Sequence, residues 1–323
     1  MARSMVGALS ALFLLCSLGF AFQTLSAVGP MKPAPAGAPR IENTVAETAA
    51  IRVDSALVQI PVHVTNVFGA NVAGLTKDDF ELWEDGVAQS ISNFSMDDAP
   101  ASVGLVYDCS GSMHDKMGQA AAAARAFFQT ANVEDEFFLV EFGDWPKLAT
   151  PLTANADDIL TRILRTKPFG RTALLDALDM AMKQMKKAVN PRKALVILSD
   201  GGDNQSRRNR REIESALVES DVQVYAMGLY SRADSHRLSP EERNGPKLLQ
   251  EISESTGGRM FTVASADDLA GISARISKEL RTEYMLGYSP ATFARDGKYH
   301  RLSVKVKGSD LRVYSRTGYY SPQ

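Results

Sequence analysis

Sulfur chemistry has little to work with in this chain of 323 residues, which contains two cysteines, Cys16 and Cys109. Cys16 falls inside an N-terminal apolar stretch, so a processed chain keeps one thiol, has no internal disulfide, and must rely on core packing for stability. Histidine is almost as scarce, with four residues in unrelated contexts, which disfavours an imidazole zinc centre and leaves no Ser-His-Asp relay in view. Neither sign of charge dominates: 36 Lys+Arg against 38 Asp+Glu leave a formal net charge of −2, so no global field points to nucleic acid or to an anionic membrane. Long apolar runs are missing except at the start. Met5 to Phe22 carries no charge, follows Arg3, and is succeeded by the small residues Leu25-Ser26-Ala27. That pattern predicts a signal peptide over residues 1–27, cleaved after Ala21 or Ala27. The alternative is an uncleaved anchor, since the run nearly suffices to span a bilayer. The expected location is therefore extracytoplasmic (secreted, periplasmic or on the cell surface), with membrane attachment only if the segment is retained.

What is present divides the rest of the chain into β, α/β and β portions. Residues 28–50 begin with a Pro/Ala/Gly tract that cannot build a core and reads as a linker. Within 51–98, Val58, Ile60, Val62 and Val64 alternate with polar residues, as in a half-buried strand, and Asp85-Gly86 supplies a hairpin turn. This is an N-terminal β unit, with an immunoglobulin-like half-sandwich as its expected form. Residues 100–281 alternate short apolar runs with helical periods: Ala101–Tyr107, Phe137–Val140, Ala194–Ser199, Val222–Met227 and Met260–Val263 as strands, with helices near 113–131, 209–219, 246–255 and 266–281. Such alternation predicts an α/β fold with a doubly wound, mostly parallel, Rossmann-like sheet. From 283 to 323 the pattern returns to β, with Leu302, Val304 and Val306 alternating with polar neighbours. Neither flank is large enough for a good core alone, so 51–98 and 283–323 are expected to complete one sandwich around the inserted α/β domain.

The most informative stretch is Asp108-Cys109-Ser110-Gly111-Ser112, which puts one carboxylate and two hydroxyls where a strand gives way to a helix. Thr172 opens another helix, and Asp200 ends the apolar run Ala194–Ser199. Ligands of open α/β sheets sit beyond the carboxyl ends of the strands, which would gather Asp108, Ser110, Ser112, Thr172 and Asp200 on one face. These are hard oxygen donors suited to Mg²⁺, with Mn²⁺ or Ca²⁺ as alternatives. With only two carboxylates among them, such an ion stays electrophilic and open to a carboxylate from a partner protein. An isolated Asp-x-Ser-x-Ser is weak evidence, because Asp and Ser also cap helices; Thr172 and Asp200 in the expected order make it more specific.

The constellation resembles the metal-ion-dependent adhesion site (MIDAS) of von Willebrand factor type A (VWA) domains, and the flanks, with Gly74–Phe80 and Arg316–Tyr320, resemble an acidobacterial subgroup of secreted proteins related to that family. The resemblance implies that Ser110, Ser112 and Thr172 ligate the ion directly, and Asp108 and Asp200 directly or through water. It implies a secreted or surface-held, non-enzymatic module for cell adhesion or protein–protein interaction; no nucleic-acid partner is expected, because the basic run Arg207–Arg211 is isolated and no stacking aromatics accompany it. Two other readings remain: a hydrolase using Ser110 or Ser112, which lacks a Gly-x-Ser-x-Gly elbow, and a structural component whose ion only stabilises loops. Around the core motif, Asp203 reads as a solvated loop residue with an outer-shell carboxylate as the alternative, Arg207–Arg211 as a solvated charge run with a cationic rim as the sharper alternative, Cys109 as a small packing residue, and the polar segment 231–245 equally as a surface excursion or as a loop contacting a partner on the metal face.

Overall fold

The computed structural model of the chain describes residues 57–230, 239–290 and 296–322. The signal-peptide and linker expectations for residues 1–27 and 28–50 lie outside the described residues, as does 231–238 of the polar segment. Among the described residues, no helix is long and apolar enough to cross a membrane.

The first strand, β1 (Val58–Asn66), is followed by β2 (Phe80–Glu84), β3 (Val87–Gln89) and β4 (Asn93–Asp97). Asp85 and Gly86 take positive φ values of 49° and 83°, the backbone that a two-residue hairpin between β2 and β3 demands. The chain then enters β5 (Ala101–Asp108), a 3₁₀ turn over Gly111–Lys116, and α1 (Met117–Phe128). Next come β6 (Glu136–Phe142), β7 (Pro146–Thr153), α2 (Ala156–Ile163), α3 (Leu174–Met185) and β8 (Arg192–Ser199). The α/β portion ends with α4 (Arg210–Glu219), β9 (Gln223–Leu229), α5 (Pro240–Ser255), β10 (Met260–Val263) and α6 (Asp268–Arg281). The last four strands are β11 (Glu283–Tyr288), β12 (Tyr299–Val306), β13 (Leu311–Ser315) and β14 (Gly318–Tyr320).

The central sheet has the order β10-β9-β8-β5-β6-β7. Every pairing in it is parallel except β6–β7. Its two faces feed two cores, as expected of strands buried on both sides. Val103, Leu105 and Tyr107 of β5 pack with Ala120, Phe127, Ile159 and Ile276 from α1, α2 and α6. Val106 packs on the other side with Leu178, Ile213 and Leu249 from α3, α4 and α5. The doubly wound, mostly parallel α/β class read from the sequence is the one observed.

Strands from both flanks interleave in two four-stranded antiparallel sheets, β13-β1-β11-β4 and β14-β12-β2-β3. They share one core, in which Ile60, Val62, Leu82, Tyr284, Leu286 and Leu302 are buried. The expectation that β1 is half-buried fails at its C-terminal half, where His63 and Thr65 are 1% and 0% exposed. The second face of β1 is covered too: His63 Nε2 lies 3.5 Å from Glu279 Oε1 on α6, and Arg259 pairs with the same oxygen at 2.5 Å while lying 4.4 Å over the Tyr314 ring. Arg192 and Glu283 form a second buried ion pair at 2.7 Å. A cavity of about 870 Å³ opens beside it, lined by Gln59, Lys193, Asp221, Gln223, Glu283 and Arg316 among others. It sits at the amino ends of β8 and β9, the sheet edge opposite the carboxylates discussed next.

Candidate metal centre

Parallel pairing sets the site. β5 and β8 are neighbours with Tyr107 opposite Leu198, so both strands run out at the same edge with Asp108 beside Ser199. The chain leaves β5 toward β6 on one side and later returns through β8 on the other, which makes this a topological switch point, the usual ligand crevice of open α/β sheets. Ser199 Oγ donates to Asp108 Oδ2 at 2.5 Å and accepts from Gly201 N at 2.8 Å. The other oxygen, Asp108 Oδ1, accepts from Ser110 N at 2.8 Å. Ser110 and Ser112 bring their hydroxyls within 3.1 Å of each other.

Thr172 arrives on the loop before α3. That loop is pinned to the β5 end: Phe169 N donates to Cys109 O at 2.7 Å and Gly111 N to Gly170 O at 2.9 Å. Thr172 N donates to Asn204 Oδ1 on the Asp200 loop at 3.0 Å. A Cβ placed on Gly202 would lie 3.8 Å from Asp200 Oδ1 and 4.0 Å from Thr172 Oγ1, so these two oxygens border one small space. Gly201 makes the turn possible. Its φ is +81°, and an added Cβ would stand 2.5 Å from Gly245 O on α5, so both conformation and close approach require glycine.

All five oxygen-bearing residues therefore meet at the carboxyl edge, with Asp108, Ser110, Thr172 and Asp200 at 0%, 1%, 4% and 3% exposure and Ser112 half-buried. Burial, and next the charge of Asp200, push the Asp108 carboxyl pKa up, against the hydrogen bonds that favour its ionised form. Asp200 Oδ1 is buried without a hydrogen-bond partner, a costly condition for a carboxylate oxygen. Its other oxygen is not alone: Lys116 Nζ lies 2.8 Å from Asp200 Oδ2. The sequence reading missed Lys116. Its position depends on the 3₁₀ turn over Gly111–Lys116, where a helix running from Met113 had been expected; α1 begins only at Met117.

The donor chemistry fits a hard divalent ion: three hydroxyls and two carboxylates at one sheet edge, with one carboxylate oxygen, Asp200 Oδ1, buried and unpartnered. Among the described residues, no cluster of three or more His, Cys, Asp and Glu side chains could hold a metal, so any ion here depends on the hydroxyls. Cys109 is no competing nucleophile: burial pushes its thiol up to about 12, and it sits 2.9 Å from Phe142 O.

The surroundings divide differently from the sequence reading. Asp203 is not a solvated loop residue; it is half-buried and accepts from Ser206 Oγ at 2.6 Å and from Leu175 N at 3.4 Å, at the start of α3. Within the basic run, Arg208 pairs with Asp179 at 3.7 Å and Arg210 with Glu214 at 2.6 Å and with Glu251, so much of that charge is met locally. A feature with no sequence signal is the aromatic pair at the rim. Trp145 and Phe169 are 63% and 41% exposed, with ring centroids 6.2 Å apart. Asp144, next to Trp145, accepts from Arg171 N at 2.8 Å, which places the pair beside Thr172.

An open α/β sheet with an oxygen-lined crevice at its switch point defines a class of ligand-binding, doubly wound domains. Residues 103–202, from β5 to the end of β8 and the Asp200 loop, match the family model of the von Willebrand factor type A domain. No curated protein sequence matches the chain. Among solved structures, it is similar to a conserved hypothetical protein BatB from Bacteroides thetaiotaomicron, at 19% identity and TM-score 0.46, covering 56% of this chain and all of that one. A von Willebrand factor type A protein from Catenulispora acidiphila aligns at 14% identity and TM-score 0.47, over 84% and 74% of the two chains. The corresponding domain of the type V pili tip protein Mfa5 from Porphyromonas gingivalis aligns at 13% and 0.46, over 56% and 94%. Similarity of that extent says nothing about ligand or partner.

Proposed function

We propose that this protein is a non-enzymatic, extracytoplasmic binding module that recognises a protein partner through a divalent ion, Mg²⁺ or else Mn²⁺ or Ca²⁺, held by Asp108, Ser110, Ser112, Thr172 and Asp200. The observation that carries the proposal is the buried, unpartnered Asp200 Oδ1 facing the same space as the Thr172 hydroxyl. Bound there, the ion supplies positive charge and an open position for an acidic side chain of the partner. The residues of the chain do the rest: Ser199 and Ser110 orient Asp108, Asn204 ties Thr172 to the Asp200 loop, and Trp145 with Phe169 offers an apolar contact beside the crevice. Exposed aromatics next to a charged anchor are the usual composition of an energetically dominant contact.

The hydrolase reading finds no base for Ser110 or Ser112 among the described histidines. His63 and His300 belong to the β-sandwich strands, and His114 is 77% exposed. The test is capture of partners from native extract by the full chain with Mg²⁺ or with EDTA, for the wild type and Asp200→Ala. Capture that requires Mg²⁺ and disappears in Asp200→Ala supports the proposal; capture unchanged in EDTA removes the ion from recognition. Hydrolytic turnover abolished by Ser110→Ala would replace the binding module with an enzyme.

A further inference from the structure

The proposed ion and Lys116 compete for one carboxylate. The Lys116 ammonium lies 2.8 Å from Asp200 Oδ2, with the two side chains 14% and 4% exposed. The pair is thus shielded from water, where like charges repel strongly and opposite charges hold firmly. Lys116 is also the last residue of the 3₁₀ turn over Gly111–Lys116, which Ser110 immediately precedes as its N-cap and which contains Ser112. One short turn therefore delivers two neutral donors and a cation to the same crevice. The ammonium engages only one of the two carboxylate oxygens, and Asp200 Oδ1 stays buried and unpartnered. One ammonium against two carboxylates leaves a single negative charge in the crevice uncompensated.

On the divalent-ion reading given above, we infer that Lys116 is the resident counter-cation of this centre: it holds Asp200 when no ion is present, and it has to leave Asp200 for an ion to load. A divalent ion beside Asp200 and an ammonium on the same carboxylate would repel each other in a poorly solvated space. The four-carbon stem of lysine permits the withdrawal, since its charge is a compact point on a flexible chain. Loading then exchanges one cation for another, and Lys116 sets the affinity. The consequence is a centre that tolerates the absence of metal and fills only at elevated ion concentration, unlike one whose carboxylates face each other unscreened.

The experiment is isothermal titration of the full chain with Mg²⁺ alone and Mn²⁺ alone, together with thermal unfolding in EDTA and in excess Mg²⁺. Wild type, Lys116→Met, Lys116→Gln, Lys116→Arg and Asp200→Ala are compared. Lys116→Met and Lys116→Gln are expected to bind either ion at least tenfold more tightly than the wild type. Both should melt below the wild type in EDTA and recover in Mg²⁺, whereas Lys116→Arg keeps the weak affinity. Lys116→Gln keeps a polar end on a side chain only one atom shorter, so it reports even if Lys116→Met packs poorly. Equal, measurable affinity in wild type and both neutral variants overturns the role of Lys116 and leaves the ion reading intact. Absence of ion binding in every variant overturns both.

Discussion

Replacing Asp108 by Asn tests whether the crevice is built around charge that the protein itself does not neutralise. Asn is nearly isosteric, and its Oδ1 can still accept from Ser110 N, now at 2.8 Å. Its amide can donate to Ser199 Oγ once that hydroxyl, now donating at 2.5 Å, turns round. The hydrogen-bond count is kept while one buried charge is lost. Asp108 is fully buried, and burial together with Asp200 outweighs the bonds that favour its ionised form. Neutralising it should therefore stabilise the ion-free protein, by about 1–3 kcal/mol at pH 8, where the carboxyl is ionised. For a folding unit of this size that is a rise in Tm of roughly 2–10 °C in EDTA. On the proposed ion reading the same substitution also removes a ligand, so Mg²⁺ should raise the Tm of the wild type by mass action and leave that of Asp108→Asn unchanged. Calorimetry in EDTA and in excess Mg²⁺ reads both effects. A fall in Tm for Asp108→Asn in EDTA would refute the reasoning, because the carboxylate would then be stabilising without an ion.

Gly201→Ala should destabilise the protein by about 1–3 kcal/mol in urea unfolding, since it strains a left-handed position and collides with α5. Glu283 gives a pH test: burial, only partly offset by Arg192, pushes its pKa up to about 7 from 4.5. The folded state thus binds more protons than the unfolded state between about pH 4.5 and 7, so this group makes stability fall as pH rises through that window; Glu283→Gln should flatten that segment of the stability–pH curve. Trp145→Ala combined with Phe169→Ala should change unfolding free energy by less than about 1 kcal/mol, both being surface residues, yet reduce Mg²⁺-dependent capture at least tenfold. Deleting everything after Leu280 removes β11 and β13, which flank β1, so residues 57–98 should lose protection against amide hydrogen exchange.

The legible parts of the fold were those whose signal is local. Strands buried on both faces show as apolar runs, so β5, β6, β8 and β9 stand out, and the switch-point rule follows from their order. β7 was not legible: it carries Pro146 and Pro151, lies at the sheet edge, and is only half-buried, so no face demands a clean alternation. α2 escaped as well, being eight residues long with Asp and Arg on its exposed side. His63 looked like part of the solvent face of a strand, because Glu279 on α6, which lies against it, is more than 200 residues away in the chain.

The site was legible to the same degree and for the same reason. Asp108, Ser110, Ser112, Thr172 and Asp200 sit at strand ends and helix starts that sequence can locate, so their meeting follows from topology. Lys116 does not sit at such a marker. A lysine in the first turn before an Ala-rich helix is an ordinary surface residue, and only the tight turn that replaces the expected helical start swings it back onto Asp200. The missing residue changes the chemistry inferred for the others. Without it, two carboxylates would face one another and a bound ion would be close to obligatory. With it, two carboxylates and one ammonium leave a single net negative charge, and exchanging the ammonium for a divalent ion would bring the centre to neutrality. On the proposed ion reading, a partner carboxylate would meet an ion with an open position and no net opposing charge in the loaded state, and net negative charge in the empty one, so exchange of cations at Asp200 would also decide when this face can bind an acidic partner.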